Sequence, residues 1–220
     1  MSVEKESSPY FSVPRVSVDI LVIGDENSGK NELLCSFTDI PEITREYSKN
    51  NKEYQIELFR KECFPLGKRF FDIYMYKVNN KYIDWISISS QKFGFFYEKV
   101  DGVLFCHAID VASSLENLNE TLIPKTKAFV GDVPTILVGN YSERRSTLPD
   151  SLIVSREREL QTKEDHNLSG CVECSFKDDN SVSGAFEMVV QLNLKNPKFR
   201  ERLLRREWEE VSDWFDGCRH

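Results

Sequence analysis

The sequence predicts an α/β fold: a three-layer sandwich on a mostly parallel sheet, with helices on both faces and one antiparallel hairpin. Three observations carry that expectation. The aliphatic run Ile20-Leu21-Val22-Ile23 leads directly into Gly24-Asp25-Glu26-Asn27-Ser28-Gly29-Lys30 and then into helix-forming Glu32, Leu33 and Leu34. Two further apolar runs, at 103–106 and 133–139, alternate with stretches of helical periodicity. Between these and the first strand, Phe71-Asp72-Ile73-Tyr74-Met75-Tyr76 alternates, Asn79-Asn80 offers a turn and residues 82–87 alternate again, which predicts the hairpin.

Taken in order, residues 1–15 are polar, carry Pro9 and Pro14, and predict a flexible arm. The main domain is expected over 16–195. A short helix over 32–37 stops before Asp39-Ile40-Pro41. The segment 47–67 mixes many charges and Pro65 with Tyr54, Ile56, Leu58 and Phe59; its apolar residues could dock it on the domain, while its position suggests an inserted surface loop at about 48–68. Helices are expected over 112–129, 155–161 and 183–194, with a last strand at 172–174. Residues 196–220 predict an amphipathic helical tail whose stripe is Phe199, Leu203, Leu204, Trp208, Val211, Trp214 and Phe215. That stripe either folds back on the domain or meets a partner protein or a membrane surface. Its charge runs basic to acidic along the chain, against the helix macrodipole, so the end should fray unless packed.

Composition narrows the function classes. At 220 residues the chain suits one domain with extensions, and its net charge of −7 argues against a nucleic-acid-binding surface. Six scattered cysteines and a polar start without a secretory leader suggest free thiols in a reducing, cytoplasmic setting. Cys171 and Cys174 have the spacing of a metal pair, but no second pair follows and the segment fits a strand. No apolar run is long enough to cross a bilayer, and Ser2 excludes amino-terminal myristoylation.

The chemistry concentrates in the glycine-rich turn. Gly24, four residues, Gly29 and Lys30, placed after a strand and before a helix, form a P-loop: curled backbone amides and a helix amino terminus shaped to hold phosphate, with Lys30 reaching the outer phosphates. Asp25, Glu26, Asn27 and Ser28 complete the cradle. The full motif ends in a Ser or Thr hydroxyl that ligates magnesium, whereas this chain has Asn31, a poorer ligand for that tight octahedral site. Asn31 is the one candidate metal ligand, and Mg2+ binding is left open.

With further motifs in view, the chain from about 18 to 194 resembles a small GTPase of the Ras superfamily, nearest to Rho proteins. Val133-Pro134-Thr135-Ile136-Leu137-Val138-Gly139-Asn140 resembles the strand leading to the family's Asn-Lys-x-Asp guanine motif, Glu173-Cys174-Ser175-Phe176-Lys177 resembles Glu-Cys-Ser-Ala-Lys, and Gly184-Ala185-Phe186-Glu187-Met188 matches the start of its last helix. The resemblance implies the small G-protein fold, GTP or GDP as ligand, and effector or regulator proteins as partners. It carries base recognition to Asn140, Tyr141 and Glu143, and a supporting turn to Ser175, Phe176 and Lys177. Glu143 can accept from the guanine edge as the family's aspartate does, and Tyr141 can cover the base by stacking.

The departures fall on the chemistry. Glu26 stands where the family usually has glycine, and its carboxylate would repel phosphate. The family's Asp-x-x-Gly-Gln motif, aligned on its glutamine, becomes Ser87-Ile88-Ser89-Ser90-Gln91, leaving Gln91 as the sole catalytic candidate to orient a water. Neither Thr44 nor Ser48 is a clear switch threonine. The chain ends Gly217-Cys218-Arg219-His220, without a prenylation motif. Two functions stay in play: a guanine-nucleotide switch that hydrolyses slowly or not at all, and a nucleotide-free pseudo-GTPase scaffold for protein partners.

Overall fold

The computed structural model describes residues 15–38, 40–49, 52–78 and 100–204, with side chains described over 16–38, 56–78 and 100–204. Seven strands form one sheet in the order β2-β3-β4-β1-β5-β6-β7. They are β1 (Arg15–Gly24), β2 (Ile40–Lys49), β3 (Lys52–Leu66), β4 (Arg69–Val78), β5 (Gly102–Ala108), β6 (Thr135–Asn140) and β7 (Gly170–Cys174). Strand β1 pairs in parallel with β4 and β5, and β5, β6 and β7 continue in parallel. Only β3 runs against its neighbours, pairing antiparallel with both β2 and β4. The architecture is the expected three-layer α/β sandwich of the small G-protein type.

Alternation along β1 explains the layers. Val16, Val18, Ile20 and Val22 face one core with Leu33, Leu34 and Phe37 of α1 (Lys30–Phe37) and with Phe186, Val189 and Val190 of the long carboxyl-terminal helix Asp179–Asn193. Leu21 and Ile23 face the second core, with Leu115, Leu118, Leu122 and Ile123. Those last residues lie on what the sequence predicts as one helix, 112–129. It is built instead as α2 (Ala112–Asn117), a π-helical turn (Leu118–Leu122) and α3 (Ile123–Val130). Pro124 sits in the first turn of α3, and its ring cannot be accommodated in an unbroken i→i−4 ladder; the widened turn before it absorbs the mismatch. Helix α4 (Arg156–Asp165) is capped by Ser155, whose hydroxyl accepts from Arg158 N at 3.2 Å, and α5 (Asp179–Asn193) by Asp178.

Two expectations are corrected on the amino-terminal half of the sheet. The segment at 48–68 is not an inserted surface loop: it supplies the end of β2 and all of β3, and Ile56, Phe59 and Phe64 are buried. Its charges obscured the strand because they are satisfied across the ladder, Glu57 by Lys77 and Arg60 by Asp72. The antiparallel arm against β4 is therefore β3, turning through Gly67 at φ 63°, and not residues 82–87. Both edges of β4 are already paired, by β3 and β1, which leaves no place beside it for the predicted return strand. The turn Asn79-Asn80 and residues 82–87 lie outside the described residues, as does the arm up to residue 14.

The tail begins to fold back. Residues 197–204 are helical, Phe199 and Leu203 are buried in the first core, and Arg202 donates to Asp101 Oδ1 at 2.7 Å. Trp208, Val211, Trp214 and Phe215 lie beyond the described residues.

Candidate functional site

Strand β1 ends at Gly24, and the loop to α1 crosses the carboxyl ends of the parallel strands. Gly24 must lack a side chain, since a Cβ there would stand 2.3 Å from the Cys106 carbonyl oxygen on β5. Gly29 holds the left-handed conformation, φ 78°, at the head of α1. Between them Ser28 is buried, its N–H donating to Asp25 O at 3.1 Å and its hydroxyl donating to the same oxygen at 2.7 Å. Glu26 and Asn27 are exposed at the rim, and Asn117 donates to Asp25 Oδ1 at 2.5 Å.

Lys30 is 7 % exposed, and its ammonium donates to Gly24 O at 2.6 Å, to Asp25 O and to Ser28 Oγ at 3.3 Å. Burial draws its pKa below the usual lysine value. The neighbouring Cys106 gives it no charge to lean on at neutral pH, because burial pushes that thiol up to about 12. Backbone carbonyls and the nearby Asp25 and Glu26 therefore hold the cation in place. A cleft of about 290 Å³ opens here, lined by Gly24, Glu26, Lys30, Asn31, Glu57, Lys77 and Val78. Glu26 and Asn31 do not plug it.

The base side is assembled from two other loops. Asn140, the last residue of β6, is fully buried and donates from Nδ2 to Ser28 O at 2.7 Å, tying this segment to the P-loop across 112 residues of sequence. Tyr141 follows in the left-handed conformation, φ 66°, and starts the 3-10 turn Ser142–Ser146 that carries Glu143. Its ring packs edge-on to Phe176 at 5.0 Å between centroids, and the Arg144 guanidinium lies 3.9 Å from the ring centroid. Burial, then the charge of Glu32, raises the Tyr141 phenol above its ordinary pKa, so the hydroxyl stays protonated. After β7, Ser175 is held by a hydrogen bond from its N–H to Ser181 Oγ at 3.0 Å, and the Lys177 N–H donates to Ser175 Oγ at 3.3 Å. The loops predicted to read guanine thus stand together, far apart in sequence and adjacent in space.

Two acceptors in this group are buried without a hydrogen-bond partner: Asn140 Oδ1 and Glu143 Oε2. Such oxygens are uncommon in folded proteins, where buried polar atoms are paired. They suit the guanine edge, whose N1 and exocyclic amine are donors, so the residues present fit a guanine nucleotide on both its base and its phosphate sides.

Magnesium fares differently. Asn31 Oδ1, the one predicted ligand, accepts from the Lys77 ammonium at 2.7 Å, and Lys77 is ion-paired with Glu57. A hard divalent cation needs several oxygen donors free to face it, and among the described residues Asn31 and Glu57 already face the Lys77 cation. The donor set around Asn31 does not fit Mg2+. Among the described residues no cluster of His, Cys, Asp or Glu could hold a metal. Cys171 and Cys174 pack on opposite faces of the sheet, one toward each core, so they cannot share a ligand; the expectation of ordinary strand cysteines stands.

Gln91 and the stretch from Ser87 lie outside the described residues. The alignment that selected Gln91 required the second strand of the hairpin to end near residue 87, whereas the hairpin's second strand is β4, which ends at Val78. Lys77, Glu57 and Asn117 were not singled out in the sequence. Only Lys77 left a trace there, as a basic residue interrupting an apolar alternation at a strand's carboxyl end.

Beneath the base loops lies a buried ionic network that sequence patterning did not reveal. His107 Nε2 is 2.9 Å from Glu159 Oε1, both fully buried; Arg145 spans from Glu159 to Glu173, and Arg156 reaches Glu173 at 3.1 Å. Burial raises the Glu159 carboxyl, while for Glu173 the burial effect is outweighed by Arg145, Glu159 and Arg156 and the carboxyl is held below its usual range.

A family model gives an independent comparison. Residues 90–195 match the Ras family. The matched span takes in β5 to α5 with both base loops. It stops short of the P-loop, whose assignment rests on its own residues and geometry.

Proposed function

We propose that the protein is an atypical Rho- or Ras-like small GTP-binding protein that acts as a signalling switch or interaction module and hydrolyses GTP slowly or not at all. The observation that supports this most is the pairing of a Gly24–Lys30 phosphate cradle with Asn140 and Glu143, whose buried unpartnered oxygens lie on loops hydrogen-bonded to that cradle. In this reading the loop amides and Lys30 hold the phosphates, Glu143 accepts from the guanine edge, Tyr141 and Phe176 border the base, and the Ser175–Lys177 turn fixes its far side. Glu26, where the resemblance expects glycine, disfavours an efficient attack by water, whether or not Gln91 reaches the site. No helix among the described residues is long and apolar enough to cross a membrane. A cytoplasmic setting, with effector or regulator proteins as partners and the distal tail able to touch a membrane, completes the reading.

The second reading, a nucleotide-free scaffold, is favoured by the Lys30 ammonium being satisfied inside the loop. Melting the purified protein with and without millimolar GTP or GDP separates the two, because a ligand that binds only the native state raises Tm. We expect an upward shift that Lys30→Ala removes. No shift at millimolar nucleotide and magnesium favours the scaffold.

A further inference from the structure

At the head of α1, where the complete phosphate-loop motif would present a hydroxyl to magnesium, the structure presents a lysine. Glu57 and Lys77 are directly opposite each other on β3 and β4 and form an ion pair, and Lys77 donates to Asn31 Oδ1 at 2.7 Å. The Lys77 side chain is 12 % exposed, so its position is fixed by packing as well as charge. It lines the same cleft as Lys30, and its charge is one of the influences that lower the Lys30 pKa, which puts the two ammonium groups within electrostatic reach of one another.

We infer that Lys77 takes over the counter-charge role of the divalent cation, so that the loop holds a nucleoside polyphosphate between two ammonium groups, Lys30 and Lys77, without a metal. A tethered cation already seated on the Asn31 amide repels a divalent ion arriving there, and the Asn31 and Glu57 oxygens are engaged by it. An ammonium, unlike magnesium, cannot draw together a phosphate and a switch hydroxyl by coordinating both. The grip on phosphate therefore survives while the metal-centred arrangement that hydrolysis uses in this kind of site is lost. Glu57 sets the strength of the grip by neutralising part of the Lys77 charge.

The inference rests on the proposed nucleotide binding, and one titration separates the two. GDP and GTP are titrated into the full chain by calorimetry, once with excess EDTA and once with Mg2+. The expected result is the same Kd, within about twofold, in both buffers. Lys77→Met should weaken binding roughly tenfold or more, the loss of a charge-assisted hydrogen bond, while Lys77→Arg retains most of it. Glu57→Gln, which leaves Lys77 in place, should tighten binding in EDTA and keeps the test decisive if Lys77→Met does not fold. Binding that appears only with Mg2+, or Lys77→Met and Glu57→Gln proteins that bind as the unaltered chain does, overturns this inference and leaves the nucleotide-binding reading intact. No binding in either buffer overturns both.

Discussion

Glu143 is one methylene longer than the aspartate that the resemblance places at its position, and its Oε2 is buried without a partner. Its contribution is expected to be selectivity. Glu143→Ala should reduce affinity for guanine nucleotides by about 1.5–3 kcal/mol, the range for hydrogen bonds to a charged group, and should narrow the preference for GDP over ADP; competition between the two nucleotides measures it. Arg145 has a structural role, compensating Glu159 and Glu173 at once. Arg156 and His107 still face the two carboxylates when Arg145 is removed, so Arg145→Met should destabilise the fold by about 1.5–3 kcal/mol, the range for hydrogen bonds to a charged group, in denaturant titration. Glu159 itself behaves oppositely to a salt-bridged carboxylate. Its raised pKa means the folded state favours the protonated form, so its contribution is greatest below the ordinary value of 4.5 and is lost as pH rises through the folded pKa. The stability difference between Glu159→Gln and the unaltered protein should therefore move in favour of the variant from acid to neutral pH. Of these residues only Asn140, Tyr141 and Glu143 were legible beforehand, through motif order; Arg145, Glu159 and His107 meet only after folding.

Among the elements, β5 and β6 were readable because both their faces are buried and their sequences are largely apolar, and β1 through its Ile20–Ile23 run. Strand β3 was not, since Glu57 and Arg60 along it are met by the cross-strand partners Lys77 and Asp72, which a linear sequence does not show. The long helix after β5 was readable in extent but not in geometry, the π-helical turn being forced by one proline. The tail was readable as a stripe, while its partner was not. The structure assigns the first part of that stripe to the domain core, and Phe199→Ala should accordingly cost about 3–5 kcal/mol in unfolding free energy. A variant with unchanged stability would show instead that this helix is dispensable to the fold.

For the molecule as a whole, two cores share one sheet, and β1 contributes side chains to both. The two sides should melt together: near-ultraviolet and far-ultraviolet signals are expected to give one coincident transition, and separated transitions would show that the faces are independent. The parallel strands and the layers follow from the order of apolar runs, whereas β2 and β3 do not. The placement of the glycine-rich turn between β1 and α1 followed as well, because Gly24 and Gly29 bracket it after a buried strand. The cation at its mouth did not, because Lys77 and Asn31 are 46 residues apart and neither belongs to a shared motif.

The bond from the Asn140 amide to the Ser28 carbonyl joins the loop after β6 to the loop after β1 directly. Whatever steadies one loop steadies the other. A nucleoside and free pyrophosphate, supplied as separate molecules, should accordingly assist each other's entry, and severing that latch with Asn140→Ala should turn one cooperative event into two weak and unrelated ones.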